Sequence, residues 1–324
     1  MAELRAAIKS SGTVADLTNT HGMSLVPMPL NRYALSTPVR RVRDYRAELL
    51  AAVDDLPPLP LVLDRLMKLL RDASSSASQI AALIEKDVVL SGSVLRCVNS
   101  AYYGLQSNVS SIRHAVTLLG FSTVRNLAMA FSMRTMVTGA GVPPRSLYSR
   151  YSQHSLSCAL VSQFLAEHAP VANAEAAFAA GLFHDVGKLL MMTTFPELQT
   201  EVQERFESGG TYEGAETEML GITHSEVSRI VLERWQLPAH IQAAAACHHR
   251  PEEAAAAGAE ELPLAQVVHA ADLFVNEYGL QIQPTKRVDA FPADRAFEDI
   301  GLRQKKPEIL EKFQKEYEGI RSLL

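Results

Sequence analysis

Apolar side chains recur at steps of three and four along nearly the whole chain, and no segment alternates convincingly with period two. Leu59, Val62, Leu66 and Leu69/Leu70 follow that step, as one buried face of a helix requires. Further helices are expected near 78–86, 88–99, 112–119 (closed by Gly120) and 121–137. A Gly/Pro-rich stretch at 139–144 then marks the clearest internal boundary. Beyond it, helices are expected near 146–168, 173–185, 195–208, 223–236, 238–249 and 262–278, punctuated by Pro170, Pro196, Gly209-Gly210, Pro238 and Pro251. The expected fold class is all-α. Residues 1–44 read as a loosely attached extension, 45–139 and 146–280 as two helical halves, and 281–324 as a tail of two short charged helices on the outside.

Composition narrows the function classes. With 47% hydrophobic and 21% charged residues over 324 positions, the chain can bury a substantial core. A net charge of −5 supplies no field for nucleic acid or anionic lipid, so no DNA partner is expected. One Trp and 6% aromatics leave few stacking platforms for single strands. Apolar stretches fall short of the roughly 20 residues a membrane span needs, so no membrane insertion is expected. The three cysteines, Cys97, Cys158 and Cys247, lack CxxC spacing. They read as reduced packing residues of a cytoplasmic protein.

Several of the ten histidines fall in phase with apolar neighbours. His154 shares a stripe with Tyr151, Cys158, Val161 and Leu165. His184 and Asp185 close an alanine-rich helix and run into Gly187-Lys188. His224 shares a face with Val227, Val231 and Trp235, and Thr223 with Glu226 has the spacing of a capping box. His248, followed by His249, is in phase with Ile241, Ala244 and Ala245, and Asp272 with Leu264, Val268 and Val275. A carboxylate on an apolar face is costly unless paired, protonated or bound to metal. Imidazoles and carboxylates on successive helices therefore suggest a shared metal site, built as bundle cores build them. All these donors are N or O, which favours one or two ions of Fe, Mn, Zn, Ni or Mg over a thiolate-held zinc. His21, His114, His168, His240 and His269 lack this support and read as surface or packing residues, as Met129, Met133 and Met136 read as core.

The motifs at these positions resemble a known family. Gly181-Leu-Phe-His184-Asp185-Val-Gly-Lys188 is similar to the HDxGK signature of the HD superfamily of metal-dependent phosphohydrolases. Leu56-Pro-Pro-Leu-Pro60, Ile84-Glu-Lys-Asp87, Leu95-Arg-Cys-Val-Asn99-Ser-Ala-Tyr-Tyr-Gly104 and Ser111-Ile-Arg-His-Ala-Val-Thr-Leu-Leu-Gly120 resemble hallmarks of the HDOD domain, a bacterial signalling branch related to the HD proteins. Thr223-His224, Glu233-Arg-Trp-Gln-Leu-Pro238 and His248-His249 continue the likeness, over about residues 45–280. It implies a helical N-terminal subdomain packed on an HD-like bundle. It also implies the metal ligands His154, His184, Asp185, His224, His248, His249 and Asp272, with Asp185 bridging. No GYP follows His249, so cleavage of cyclic-di-GMP is not implied.

Two readings follow. The favoured one is a non-catalytic regulatory module that contacts signalling proteins, such as a kinase, a response regulator or a cyclic-nucleotide enzyme, with metal in its HD-like half and room for a nucleotide ligand. The alternative is an active metal-dependent phosphohydrolase, in which Lys188 neutralises charge developing on the phosphate.

Overall fold

Short polar side chains cap six of the helix starts. In the computed structural model, which describes residues 43–69, 76–100, 103–133, 145–171, 174–254, 263–287 and 292–321, Asp44 caps α1 (Tyr45–Asp54), and α2 is Leu61–Leu69. Ser76 and Gln79 close a reciprocal capping box on α3 (Ala77–Ile84). Asp87 caps α4 (Val88–Val98), Ser111 caps α5 (Ile112–Leu119), and α6 is Phe121–Met133. Then follow α7 (Arg145–Ala166), α8 (Ala177–Phe183), α9 (Val186–Thr194) and α10 (Gln199–Glu207). Thr211 caps α11 (Tyr212–Leu220) and Thr223 caps α12 (His224–Arg234). The chain ends with α13 (Ala239–Cys247), α14 (Leu264–Glu277), α15 (Ala293–Asp299) and α16 (Lys306–Arg321). The fold is all-α, with no β-sheet among the described residues. Residues 1–42 of the expected extension and the Gly/Pro boundary at 139–144 lie outside the described residues, as do Met136 and His21.

Three differences from the periodicity matter. The helix expected to close at His184-Asp185 does end at Phe183, but a further helix that the periodicity does not announce, α9, begins directly after Asp185. An unexpected helix, α11, fills 212–220; only Ala215 and Leu220 of its apolar residues are buried, too few for a readable stripe. The Thr223–Glu226 box is half made: Thr223 accepts from the Glu226 amide, but the Glu226 carboxylate pairs with Arg46 of α1 at 2.6 Å.

The site is built on α8, which is buried on every side. Small residues permit that: a Cβ on Gly181 would stand 2.5 Å from the Cys158 carbonyl and 2.8 Å from Ala159 Cα, so α7 and α8 touch backbone to backbone. Around α8 lie α7, α13 and α14, while α9 packs against α12. The start of the described chain is tied to the same body. α1 packs on α9 and α12, and the Trp235 indole N–H donates to the Pro57 carbonyl at 3.1 Å. The tail does more than cover the outside: α15 and α16 keep their charges outward but bury Phe297 and Phe313 completely, and Tyr317 donates to Gln153 of α7.

α12 ends in a Schellman turn. The Leu237 amide bonds to the Leu232 carbonyl and the Gln236 amide to the Glu233 carbonyl, which places Gln236 at φ +56°. α14 makes the same pair of bonds with Gly279 in that position. A non-glycine residue there carries a steric cost of roughly 1–2 kcal/mol, partly offset by the extra freedom glycine gains on unfolding. Gln236→Gly is therefore expected to stabilise the protein by about 0.5–1 kcal/mol. Chemical denaturation would show it as a higher midpoint at unchanged slope; a lower midpoint refutes it.

Candidate metal centre

Four imidazoles are pinned from behind and turned inward. His154 Nδ1 faces the Leu280 carbonyl at 3.0 Å, His184 Nδ1 that of Gly181 at 2.8 Å, and His248 Nδ1 that of Ala245 at 2.8 Å. A carbonyl only accepts, so each Nδ1 carries the proton and donates it. His224 Nδ1 donates to the Glu216 carboxylate at 2.6 Å. Each Nε2 is therefore the atom turned to the centre, where it can offer its lone pair to an ion once it carries no proton, as metal-ligating histidines do.

Asp185 stands between two groups of these atoms, fully buried. Its Oδ2 lies 3.6 Å from His154 Nε2 and 3.4 Å from His184 Nε2. Its Oδ1 lies 3.4 Å from His224 Nε2 and 3.5 Å from His248 Nε2. Asp272 joins the first group, with Oδ1 at 3.2 Å from His154 Nε2 and 3.8 Å from His184 Nε2. His249 joins the second, its Nε2 at 2.9 Å from that of His224. The structure thus gathers His154, His184, Asp185, His224, His248, His249 and Asp272 in one place. The break between α8 and α9 explains part of this, because it lets adjacent residues, His184 and Asp185, point into the same space.

The arrangement fits a cation. The Nε2 atoms of His224 and His248, whose protons sit on Nδ1, face one another at 3.4 Å and repel unless something positive lies among them. His184 Nε2 and Asp185 Oδ1 are buried and have no hydrogen-bond partner, which is costly unless they serve as ligands. Charge within the cluster points the same way. Burial works against ionised carboxylates, but Lys188 and His184 override it for Asp185, as His154 and His184 do for Asp272, so both are held well below the usual carboxylate range. Burial likewise opposes a charged His184, and Asp185 followed by Asp272 overcomes it, raising the imidazolium to about 10. Burial pushes His248 down to about 4 and His249 well below the ordinary value. One group is acid-rich, whereas burial keeps His248 and His249 of the other neutral, with Asp185 shared between the groups.

Lys188 reaches Asp185 Oδ2 at 2.9 Å, and its ammonium lies 5.4 Å from the Tyr212 ring centre. Together with His154, His249 and Asp272 it faces a cavity of about 730 Å³, which Arg250 and Arg287 also line. Partners that sequence reasoning missed lie just behind the donors. Glu216 accepts from both the backbone amide and Nδ1 of His224, Asn276 donates to Asp272 Oδ1 at 2.8 Å, and His269 donates to the His248 carbonyl. Glu216 sits on the helix whose pattern could not be read, so no signal marked it. His168, set aside as a packing residue, donates to the Phe164 carbonyl within its own helix.

Because Glu216 fixes the tautomer of His224, Glu216→Ala is expected to weaken metal binding about 10–100-fold at the His224 group. The group around His154 should be affected less. Calorimetric titration of the metal-stripped protein checks this, and unchanged affinity would rule the role out.

Comparison with known proteins agrees with the motifs and the fold. A relative in Treponema pallidum (strain Nichols), an uncharacterized protein, is 24% identical over 206 residues, which are 62% of this chain and 40% of that protein. The chain thus spans well under half the length of the curated relative it matches. Among solved structures, an HDOD domain protein of unknown function from Geobacter sulfurreducens aligns at TM-score 0.70 with 24% identity, over 86% of this chain and 97% of the other. A candidate phosphohydrolase of Shewanella amazonensis SB2B aligns at TM-score 0.65 with 23% identity, over 87% and 100%. At these identities the structures share the fold. The family model of the HDOD domain matches residues 56–251, more than half of the sequence and most of the metal-facing helices, so the chain belongs to the HDOD family.

Proposed function

We propose that this HDOD protein hydrolyses a phosphoester at a two-ion centre in its HD-like half. The observation that carries the proposal is the division of Asp185, one oxygen facing His154 and His184 and the other facing His224 and His248. His154, His184, Asp185 and Asp272 would hold one divalent ion, and His224, His248, His249 and Asp185 a second. Such ions supply Lewis acidity toward a phosphoryl oxygen and a water nucleophile at neutral pH. The protein's own groups do the rest. Lys188 stays charged, raised to about 12 by Asp185 and Asp272 against the opposing effect of burial. It lines the cavity, so it can meet a phosphate oxygen while still holding Asp185 in place. Arg287 lines the same cavity, as does Arg250, which is paired with Glu213 and Glu253.

The test is turnover of a chromogenic phosphodiester and phosphomonoester by protein reconstituted with Mn²⁺, Fe²⁺ or Zn²⁺. Activity that disappears in His224→Ala supports the proposal, and metal-loaded protein inert toward both sinks it. That second outcome would favour the regulatory reading, in which the centre is a structural or sensing core. One observation supports regulation directly: Val88 and Val89, in the half that carries the HDOD motifs, are 84% and 74% exposed. In that reading its partners would be signalling proteins such as a kinase or a response regulator.

A further inference from the structure

We propose that Cys158 is a thiolate ligand in the His154 group, making that site a mixed N/O/S centre. The inference rests on the two-ion reading and extends it, since the residues expected from the sequence are all N or O donors and Cys158 reads there as packing.

The geometry points to the thiol. His154 and Cys158 are one helical turn apart on α7, at i and i+4, so their side chains share a face. Cys158 is fully buried, and its Sγ lies 3.5 Å from His154 Nε2, the inward nitrogen rather than the one bonded to Leu280. One donor atom from each of His154, Cys158, His184 and Asp272 lies within 4.8 Å of all the others. Donors bound to one ion at about 2.0–2.3 Å stand roughly 3–4 Å apart, and with Asp185 Oδ2, at 3.6 Å from His154 Nε2 and 3.4 Å from His184 Nε2, the thiolate would make the site five-coordinate. The separations within the quartet are 3.2 Å for His154–Asp272, 3.5 Å for His154–Cys158 and 3.8 Å for His184–Asp272. The second, independent observation is His184 Nε2, a completely buried nitrogen of the same quartet with no hydrogen-bond partner. Two imidazoles, a sulfur and the carboxylates of Asp272 and the shared Asp185 suit Zn²⁺, Co²⁺ or Fe²⁺ and disfavour Mg²⁺, whose ligands are oxygens. On binding, the thiol proton leaves to solvent and the sulfur lone pair forms the bond to the ion.

Cobalt is the probe. The metal-stripped full-length protein is titrated with Co²⁺, and the near-ultraviolet sulfur-to-cobalt charge-transfer band is followed alongside metal content. The band should be present in the wild type and in Cys247→Ser but lost in Cys158→Ser and Cys158→Ala, with circular dichroism confirming that both variants fold. Mg²⁺ should fail to displace the bound Co²⁺. Bound cobalt without the band, or a band that survives both Cys158 substitutions, overturns the thiolate ligand and leaves the two-ion reading standing. A wild type that takes up no cobalt overturns both.

Discussion

Asp185→Asn should leave the protein folded and strip it of metal. The substitution keeps the volume and a hydrogen-bond acceptor for Lys188, whose ammonium reaches the same oxygen at 2.9 Å. An amide, however, offers one neutral oxygen and one N–H where two anionic oxygens now face two sets of imidazoles. Both ions lose their shared ligand, so the fall in affinity should exceed the roughly 10–100-fold typical of outer-sphere partners. Elemental analysis of wild type and variant, purified side by side, reads the result directly. Metal content that survives in Asp185→Asn would remove the bridge from the scheme. Asp185→Ala is the poorer variant, because it leaves the largely buried Lys188 ammonium without its carboxylate.

The same centre predicts a pH signature. His184 is raised to about 10 from the ordinary 6.5, with Asp185 and Asp272 outweighing the effect of burial. A group raised on folding stabilises the protein fully below its unfolded value, and that contribution is lost as pH climbs through the folded value. Metal-free protein should therefore lose stability between pH 6.5 and about 10. Metal-loaded protein has already released that proton and should stay level across the window. Thermal melts of both forms at pH 7 and pH 9.5 make the comparison, and equal slopes would contradict it.

The parts of this site that could be read in the sequence share one property: they lie on helices with strong apolar stripes. His154 on α7, His224 on α12 and Asp272 on α14 each stand in phase with buried aliphatic neighbours, so their direction follows from period alone. The parts that could not be read arise from contacts between elements. Glu216 projects from α11, a helix with almost no apolar signature, and acquires its role only because α11 packs beside the start of α12. Cys158 is indistinguishable from a packing residue until the imidazoles of α7 and α8 are placed. The closure at His184-Asp185 could be read, but not the new helix, α9, that starts directly after it without a side-chain cap.

Gly187→Ala should be the most damaging single-methyl change in the HD half. Gly187 opens α9 directly after Asp185, and its amide donates to Ser228 Oγ at 2.8 Å. A Cβ there would collide with the His224 carbonyl and would stand 2.7 Å from the Ser228 amide and 2.9 Å from Ser228 Oγ. Two of those atoms are backbone, so no rotamer change relieves the clash, and α9 and α12 must move apart. The cost should reach about 3 kcal/mol or more, which for a chain of this size lowers Tm by roughly 6–12 °C. The damage also reaches function, because His224 is the first residue of the displaced helix and Asp185 is two residues from the methyl. Stability and metal content should therefore fall together, unlike in Asp185→Asn, where only metal is lost. Gly210→Ala is the control: that residue has φ +89° but open space around its Cβ, so it should cost stability without touching the metal. If Gly187→Ala melts with the wild type and keeps its metal, the close approach of α9 and α12 does not position the centre.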